Sequence, residues 1–391
     1  MLLMVMNLLM ATAKTVTTSR FDVSRPLAET SMYAVCKASD GGFVVVTKEP
    51  DGTEPSILAY SPTPFDADSL PCGLQWWLSA TDEALQVSAN DTGNGSRQAD
   101  RRALRQVVSR AATDIPDFLE TAWGQDSPYN LCCPKINNYP SKTGCMATAM
   151  AQVMRYYHWP EHGTGQGGYY LGGWGSAYFH SEAVNGIYDW ANMDYPYMAN
   201  APEEAQQAVA ILMYDCGKAC QTFYYAGASA AAENSQLSAM TDNFQYDRQT
   251  MRFCERDKYS PAQWLQMVYG ELQARRPIFY SGYLPDELNG HAFLLCGMDE
   301  EGRVYVNWGQ DGRYDGFFSI DALILAGIDL THAQTMIIGV QPATSSTAKP
   351  ETWSAGDEPA VSYTLDGRRT DSHQRGISIV RQGNKVVKVV R

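Results

Sequence analysis

The clearest helical pattern in the chain follows Cys145. Apolar side chains recur there at intervals of three and four residues, which is the period of one helical face: Met146, Ala149, Met150, Val153, Met154 and Tyr157. The pattern predicts a buried helix that stops before Pro160, because a residue that precedes proline avoids the helical region. We expect Ser141 or Thr143 to cap its start, and Gly144 to allow a tight turn before it.

Strand-like runs precede this helix in the first quarter of the chain. Residues 32–35, 42–47 and 56–60 are predicted strands, separated by Asp-Gly turns and followed by an apolar stretch at 74–78. The pattern is typical of a compact α+β unit.

A β-hairpin is predicted near the other end of the globular sequence. Two apolar runs, residues 291–298 and 303–308, flank an acidic turn that contains a glycine. A loop with an odd number of residues would place His291 and Asn307 on one face of the sheet, and we expect Phe293 to lie opposite Asn307. His291 would then lie on the same face of the sheet, diagonally from Asn307 and roughly 7 Å away.

Turn-rich and polar stretches divide the chain. Residues 90–96 predict a linker, which leads into a helical stretch studded with arginines that suits proteolytic cleavage: Arg97, Arg101, Arg102, Arg105 and Arg110. Residues 343–360 have the composition of a second linker. The final segment, residues 361–391, is predicted to form two short strands joined by a turn.

Composition and charge narrow the class of protein. With 391 residues, of which 45% are hydrophobic, the chain can bury a substantial core and is long enough for two or three domains. Its formal net charge of −13 argues against nucleic acid or an anionic membrane as the main partner, because both require a basic surface.

The first residues resemble an export signal. Leu2 to Met10 form an apolar run, and Ala11-Thr12-Ala13 has the small-x-small pattern at which signal peptidases cut, although a basic segment before the run is missing. The run is too short to span a bilayer. We therefore expect residues 1–13 to be a signal peptide, and we expect no other segment to cross a membrane.

Cys145 allows several interpretations. Nine cysteines, an odd number without regular spacing, leave at least one thiol unpaired within the chain. Cys145 could be a buried structural thiol, half of a disulfide, a metal ligand or a nucleophile. The adjacent Cys132 and Cys133 are poor zinc ligands, and no CxxC pair is present. A helix N-terminus stabilises a thiolate, but a cysteine more often simply packs, so catalysis requires a partner.

His291 is the candidate partner, with Asn307 to orient its ring. A histidine at a strand start is usually just a hydrogen-bonded residue, and Asn-Trp-Gly could be turn chemistry. However, none of the other histidines opens a glycine-preceded strand with an asparagine on the return strand: His158, His162, His180, His332 and His373. An amide beside the imidazole can fix its tautomer. Cys145, His291 and Asn307 are therefore the only set in the sequence that supplies a nucleophile, a base and an amide to orient the base.

Several segments carry a specific resemblance, in order, over residues 115–341. The segments are "TAWGQDSPYNLCCP", "GCMATAMAQVMRYYHWP", "RPIFYSG", "NGHAFLLCGMD" and "VYVNWGQDGRYDGFFSI". They are similar to the streptopain family of secreted bacterial papain-like cysteine proteases. "GGFVVVTKEPDGTEPSILAYSPTPFDADSLP" resembles the inhibitory propeptide of that family, and the C-terminal segment resembles, more weakly, the sorting or anchoring tails of exported bacterial proteins.

The resemblance implies an α+β papain-like fold, in which a helical part carries the cysteine and an antiparallel sheet carries the histidine and asparagine, preceded by a small α+β propeptide domain. The implied domains are a signal peptide at 1–13, a propeptide with its activation linker at 14–112, a catalytic domain at 113–342, a linker at 343–360 and a β segment at 361–391.

The resemblance also implies residue roles. Cys145 is the nucleophile, His291 the base and Asn307 the residue that orients the base. Trp308 shields that hydrogen bond from water, and Gln125 forms the oxyanion hole with the backbone N–H of Cys145.

The implied substrate-binding residues are Ser229, Gly290 and Gln310. The sequence departs from the family pattern at two places, because Asn289 replaces the first of two glycines and Gln310 replaces a second tryptophan. Both departures bear on subsite preference.

The predicted function is that of a secreted zymogen of a cysteine endopeptidase, found outside a bacterial cell or on its surface. It would cleave extended polypeptides, with an apolar side chain one residue removed on the acyl side, through a thioester. Its own propeptide would be its inhibitor, and no metal, organic cofactor, nucleic acid or membrane insertion is implied. The alternatives are an amidase or transglutaminase-like acyl transferase, which would release ammonia from glutamine amides, and a catalytically idle binding protein.

Overall fold

A computed structural model describes most of the chain. It describes residues 21–49, 54–89, 95–172, 177–225, 228–232, 234–283, 290–320, 333–343, 361–363, 369–370, 377–382 and 385–390. The described residues fall into two compact units, one up to residue 343 and one after it. The expected signal peptide, the second linker after residue 343 and the side chains of Arg97 and Arg101 lie outside what is described.

The described residues of the upstream part form four strands and two helices. The strands are β1 (Ala28–Glu29), β2 (Tyr33–Lys37), β3 (Phe43–Thr47) and β4 (Ile57–Ser61), and the helices are α1 (Cys72–Ala89) and α2 (Gly95–Ala111). β1 to β4 form an antiparallel meander. The three strands expected here are confirmed, with bounds that differ by one or two residues.

The described residues of the first unit form four more helices and twelve more strands. The helices are α3 (Cys145–Tyr157), α4 (Glu203–Ala219), α5 (Ser235–Asp242) and α6 (Pro261–Gln273). The strands are β5 (Lys135–Ile136), β6 (Tyr139–Pro140), β7 (Gln166–Leu171), β8 (Tyr178–Ala183), β9 (Phe223–Tyr225), β10 (Ala228–Ala230), β11 (Arg252–Glu255), β12 (Ile278–Tyr283), β13 (Gly290–Met298), β14 (Val304–Asn307), β15 (Gly316–Phe318) and β16 (Ala333–Ile338).

One ten-stranded antiparallel sheet joins the upstream part to the rest of the first unit. Its order is β1-β2-β3-β4-β15-β14-β13-β12-β16-β11, and the junction pairs Phe317 with Tyr60 and Phe318 with Ala59. Smaller sheets have the orders β10-β9-β7-β8 and β5-β6. Alternating apolar and polar residues predict a strand but do not identify the strands that pair with it. The pairing of β4 with β15 could therefore not be predicted from the sequence pattern.

Helix α3 confirms the predicted span and corrects the predicted cap. Gly144, with φ of 90°, is the N-cap and makes no side-chain cap hydrogen bond. The Thr143 hydroxyl instead pairs with that of Thr148 at 2.8 Å, and the Ser141 hydroxyl donates to the carbonyl of Pro134 at 2.8 Å. The expected caps are wrong because Gly144 takes the cap position and both hydroxyls bond to groups other than the first backbone N–H groups of the helix. His158, in the left-handed region, ends the helix.

The arginine-rich segment forms helix α2, as its pattern predicted. Leu104 and Val107 are buried and the helix packs on α6, while Arg102, Arg105 and Arg110 are exposed. Because proteases bind extended backbone, a cut inside α2 would require local unwinding.

The described residues of the second unit form four strands, where two short strands were expected. They are β17 (Val361–Tyr363), β18 (Arg369–Thr370), β19 (Ile377–Gln382) and β20 (Lys385–Val390), in the sheet order β18-β17-β19-β20. β19 and β20 form the predicted hairpin. β17 and β18 are too short for alternation to reveal them. Among all described residues, no helix is long and apolar enough to cross a bilayer.

Candidate active site

Cys145 is the first residue of α3 and is half-buried. The turn before it is tied to a neighbouring segment, since the Thr143 N–H donates to the Gln125 carbonyl at 3.1 Å. The Ala292 N–H of β13 points at the Cys145 Sγ from 3.5 Å. The thiol therefore lies at a helix N-terminus, beside the strand that carries His291.

His291 is buried at the start of β13, and each of its ring nitrogens has a partner. Its Nε2 lies 3.0 Å from the Trp308 carbonyl, and its Nδ1 lies 3.2 Å from the Sγ of Cys72 in α1. A carbonyl can only accept, so Nε2 carries a proton and donates. Nδ1 is therefore the nitrogen that exchanges a proton with a thiol.

The charges of this cluster reinforce one another. Burial disfavours the charged His291 ring, but its charge interactions and hydrogen bonds with Cys72 and Cys145 outweigh burial and raise the His291 pKa well above its ordinary value. Burial raises the Cys72 pKa, but the positive ring, its hydrogen bond and the backbone N–H groups of the α1 N-terminus outweigh that and lower it. The geometry and the charges together favour an imidazolium ring beside a thiolate.

Asn307, at the end of β14, uses its amide away from the imidazole. Its Nδ2 donates to the Thr121 carbonyl at 2.6 Å and to the Gln152 Oε1 at 3.0 Å. Its Oδ1 accepts from the Gln152 Nε2 at 3.1 Å and from the Gly309 N–H at 3.0 Å. These four bonds use both donors and both acceptor positions of the amide.

The expected register of the hairpin is wrong, although the hairpin itself is present. Asn307 pairs with Leu294 and not with Phe293, because the register shifts between Leu295 and Met298. A shift of one residue moves a side chain to the other face of a sheet. The Asn307 amide is therefore directed to α3, and the Trp308 ring packs on Phe293, with 4.8 Å between the ring centroids.

Trp308 is held rigidly on the same side as His291. Its indole Nε1 donates to the Tyr314 carbonyl at 3.0 Å, and its backbone N–H donates to the Asp315 carboxyl at 2.8 Å. Burial raises the pKa of Asp315 well above its ordinary value, against the effect of this bond. Trp308 thus presents a fixed carbonyl to the imidazole and a fixed ring beside it.

The Gln125 segment packs closely against the loop after Trp308. A Cβ at Gly124 would lie 2.5 Å from the Asp311 carboxylate, so only glycine allows this approach. Gln125 is largely buried, and its carbonyl is bonded to the turn before Cys145. The structure therefore brings the segment of Gln125 next to the start of α3.

The three expected substrate-binding residues lie at the rim of this cluster. The Ser229 hydroxyl donates to the Lys142 carbonyl at 2.7 Å, and its Cβ would be 3.4 Å from a Cβ at Gly144. Gly290 is exposed directly before His291, and Gln310 is half-buried in the loop after Trp308. Among the described residues, no group of three or more His, Cys, Asp or Glu side chains could hold a metal ion.

Two residues of this cluster were missed by sequence reasoning. Cys72 opens α1 ahead of an apolar run, as Cys145 opens α3, so its position at a helix start was a readable signal. Gln152 is a single polar residue on the buried surface of α3, fully buried among apolar neighbours. Neither signal identifies a partner.

Comparison with known proteins classifies the chain. Residues 123–318, half of the chain, match the profile of the Peptidase C10 family. The chain belongs to the Peptidase C10 family. Streptopain of Streptococcus pyogenes is 27% identical over 353 residues, which are 84% of this chain and 85% of streptopain. A thiol protease/hemagglutinin of Porphyromonas gingivalis is 26% identical over 81% of this chain and 38% of its own length.

Solved structures of Peptidase C10 relatives agree with this classification. A fragment of Prevotella intermedia prointerpain A matches with a TM-score of 0.66 and 30% identity, over 82% of this chain and 98% of the fragment. Active interpain A, a cysteine protease, matches with a TM-score of 0.52 and 33% identity, over 59% of this chain and 97% of its own. The chain is therefore a cysteine peptidase with a papain-like α+β fold, and the resemblance found in the sequence is confirmed.

Proposed function

We propose that the chain is the latent precursor of a cysteine endopeptidase that cleaves extended polypeptides through a thioester on Cys145. The observation that carries this proposal is the position of the Cys145 thiol at the N-terminus of α3, beside the strand that begins with His291. The other cysteine near this ring, Cys72, belongs to the upstream part of the chain.

In the active form the His291 Nδ1 faces Cys145 in place of Cys72. Nδ1 takes the thiol proton, and the Cys145 thiolate attacks the substrate carbonyl carbon. The Trp308 carbonyl keeps its bond to Nε2–H, so the ring holds the tautomer that can accept at Nδ1. Asn307 supports this arrangement from the residue before Trp308.

The tetrahedral intermediate needs fixed donors for its oxyanion. We assign them to the Gln125 side chain and the Cys145 backbone N–H, because the Gln125 segment is bonded to the turn before α3. His291 then protonates the departing amine, which leaves a thioester on Cys145. Water, deprotonated by His291, attacks the thioester, and the proton returns to the thiolate as the acid product leaves.

Latency is assigned to the upstream segment, residues 14–112. Its strand β4 extends the catalytic sheet through β15, and the start of α1 lies against His291 and Trp308. A tethered segment meets its target at an effective concentration of roughly millimolar, so it can block the site with modest affinity. Cleavage between this segment and residue 113 would remove that advantage.

The cellular setting and the finer substrate contacts belong to the same proposal. Export to the cell surface or the medium is supported by the apolar run at 2–10, which is followed by a small-x-small site. Ser229, Gly290 and Gln310 are assigned to the walls of the cleft, which would take an apolar side chain one residue removed from the scissile bond.

The experiment follows the purified precursor over time with casein as the substrate, recording peptide release and fragment sizes together. We expect no initial cleavage, activity that rises as the upstream segment is cut away, and complete loss after treatment with a thiol-alkylating reagent. Ammonia release from glutamine amides without peptide cleavage would indicate an acyl transferase or amidase. An uncut chain that is already fully active would contradict latency and leave the peptidase assignment standing.

A further inference from the structure

Gln152 links three parts of the candidate site. It lies two helical turns after Cys145, on the same face of α3. Its Oε1 accepts from the Thr121 hydroxyl at 2.8 Å and from the Asn307 amide at 3.0 Å, and the Trp123 N–H lies 3.4 Å away. Its Nε2 donates to the Asn307 Oδ1 at 3.1 Å.

The two amides of Gln152 and Asn307 bond to each other in both directions, in a fully buried place. The Asn307 amide also holds the Gly309 N–H, so the short stretch that carries the Trp308 carbonyl is tied at both ends. That carbonyl bonds to the His291 Nε2. A buried network of this kind is rigid when every member is satisfied.

We propose that Gln152 is a positioning residue for the peptidase reaction: with Asn307 it fixes the Trp308 carbonyl, and through it the His291 ring, relative to the nucleophile helix. The Gln152 side chain also accepts a hydrogen bond from the Thr121 hydroxyl, and this bond fixes the start of the segment that leads to Gln125. The proposal rests on the proposed roles of Cys145 and His291.

The test is a double-mutant cycle in the mature enzyme released from the full-length chain, with Gln152→Ala, Asn307→Ala and the double variant. A small misplacement of catalytic groups can cost about 100-fold in rate, so we expect Gln152→Ala to lower kcat by about 10- to 100-fold with KM nearly unchanged. Because the two residues act as a unit, the double variant should lose little more than the worse single variant.

Asn243→Ala is the matched control. Asn243 is a buried amide that donates to the carbonyls of Thr164 and Gln166, so its loss should lower Tm similarly and leave kcat unchanged. If Gln152→Ala folds poorly, Gln152→Met keeps most of the volume without a charge, removes the donor to Asn307, and should give a similar loss of kcat with a Tm closer to the wild-type value.

Independent losses in the cycle, or a kcat for Gln152→Ala equal to that of the control, would overturn the positioning role. Activity that survives Cys145→Ala would instead overturn the proposed function.

A separate observation concerns Cys72. Cys72 is an exposed residue overall, yet its Sγ lies against the Nδ1 of His291 at 3.2 Å, while the Cys145 Sγ accepts from the Ala292 N–H at 3.5 Å. The contact is built closely: a Cβ at Gly73 would collide with the His291 ring and lie 2.7 Å from the Trp308 Cε3. Only glycine lets the start of α1 approach this far.

More of α1 is fitted to the same strands. A Cβ at Gly282 of β12 would collide with the Trp76 ring, which also packs on Phe293 of β13 with 6.0 Å between the ring centroids. The Trp77 Nε1 donates to the Ser319 carbonyl at 3.0 Å. Cys72 is therefore held on His291 by a docked helix and is not a loosely placed surface thiol.

We propose that Cys72 is an inhibitory thiol that competes with Cys145 for the His291 ring in the precursor, so that the nucleophile shares its base with a second thiol until α1 withdraws. This names the regulation of the proposed function and rests on it. Two residues produce this contact. Cys72 supplies the sulfur that contacts the His291 ring, and Gly73 has no side chain that would keep α1 away from it.

The pH dependence follows from the two shifted groups. The Cys72 thiolate persists down to its lowered pKa and the imidazolium persists up to the raised pKa of His291, so the pair weakens as pH falls through the first or rises through the second. Cys145 on α3 is the other titratable group that acts on this ring.

The test measures the alkylation rate of Cys72 by iodoacetamide, in a full-length Cys145→Ala chain that cannot cut itself. Cys132 is the internal control, since it is a half-exposed thiol whose pKa is raised by burial. A thiolate is the reactive form, so at neutral pH we expect Cys72 to react about tenfold faster or more than Cys132, and His291→Ala to remove that difference.

With Cys145 intact, Cys72→Ser and Gly73→Ala should each shorten the lag before self-activation several-fold. An alkylation rate of Cys72 that does not respond to His291→Ala, or a wild-type lag in both variants, would overturn the inhibitory thiol. The fragment that begins near residue 113 lacks Cys72, so an inactive fragment would count against the proposed function and not against this contact.

Discussion

Two helices of this molecule begin with a cysteine, and both thiols reach the same histidine. Cys72 opens α1 after a proline and is exposed, whereas Cys145 opens α3 after Gly144 and is half-buried. Cys72 contacts the His291 Nδ1 in this structure, and Cys145 accepts from the Ala292 N–H. Cys72 belongs to the proposed inhibitory segment, and Cys145 is the proposed nucleophile.

The difference between them lies in their surroundings and not in their local sequence. Around Cys145 the chain assembles the Thr143–Gln125 bond and the close approach of Ser229 to Gly144. Around Cys72 it assembles a close fit of Gly73 against His291 and Trp308. A helix N-terminus makes a thiolate, but catalysis also requires oxyanion donors beside it.

The largest effect on peptide hydrolysis is expected when each of the two cysteines is replaced by alanine in a separate variant. Cys145→Ala removes the nucleophile and should lower peptide hydrolysis by on the order of 10⁴ or more, because loss of a catalytic nucleophile disables the whole set. Cys72→Ala lies in the segment that is removed, so it should change only the lag before self-activation and leave the final turnover at the wild-type value. Casein hydrolysis after removal of residues 14–112 measures the effect of Cys145→Ala, and the time course of the full-length precursor measures the effect of Cys72→Ala.

The Cys145→Ala chain should keep the wild-type circular dichroism and Tm, since the thiol is half-buried and its Cβ remains. Retained proteolysis by this variant, in a preparation free of other proteases, would contradict the assignment of the nucleophile.

A smaller effect is expected from a change at Gln125. The segment of this residue lies beside Cys145 and, among the described residues, has no counterpart beside Cys72. Removing one oxyanion donor typically costs on the order of 10²–10³ in turnover, so Gln125→Ala should lower kcat by that factor and change KM little. Steady-state kinetics on a short peptide amide measure the two constants.

An unchanged Tm would show that the Gln125 variant keeps its fold. Wild-type turnover in Gln125→Ala would mean that the oxyanion is stabilised by other groups, and a rise in KM alone would place Gln125 in substrate binding.

Local sequence patterns determined the elements and the class of protein. The period of apolar residues after Cys145 predicted α3, and alternation predicted β2, β3, β4 and the β13–β14 hairpin, because side-chain periodicity follows directly from backbone geometry. The resemblance in five ordered segments identified the family, which the comparisons confirmed.

Only the tertiary structure decided how these elements meet. A register shift between Leu295 and Met298 turned Asn307 toward Gln152, and no local pattern encodes such a shift. The pairing of β4 with β15 and the contact of Cys72 with His291 join residues far apart in the chain. The periodicity of apolar residues shows which face of a helix or strand is buried. Which residues that face contacts depends on packing between distant segments of the chain. Such packing places the Cys72 thiol against His291 in this structure.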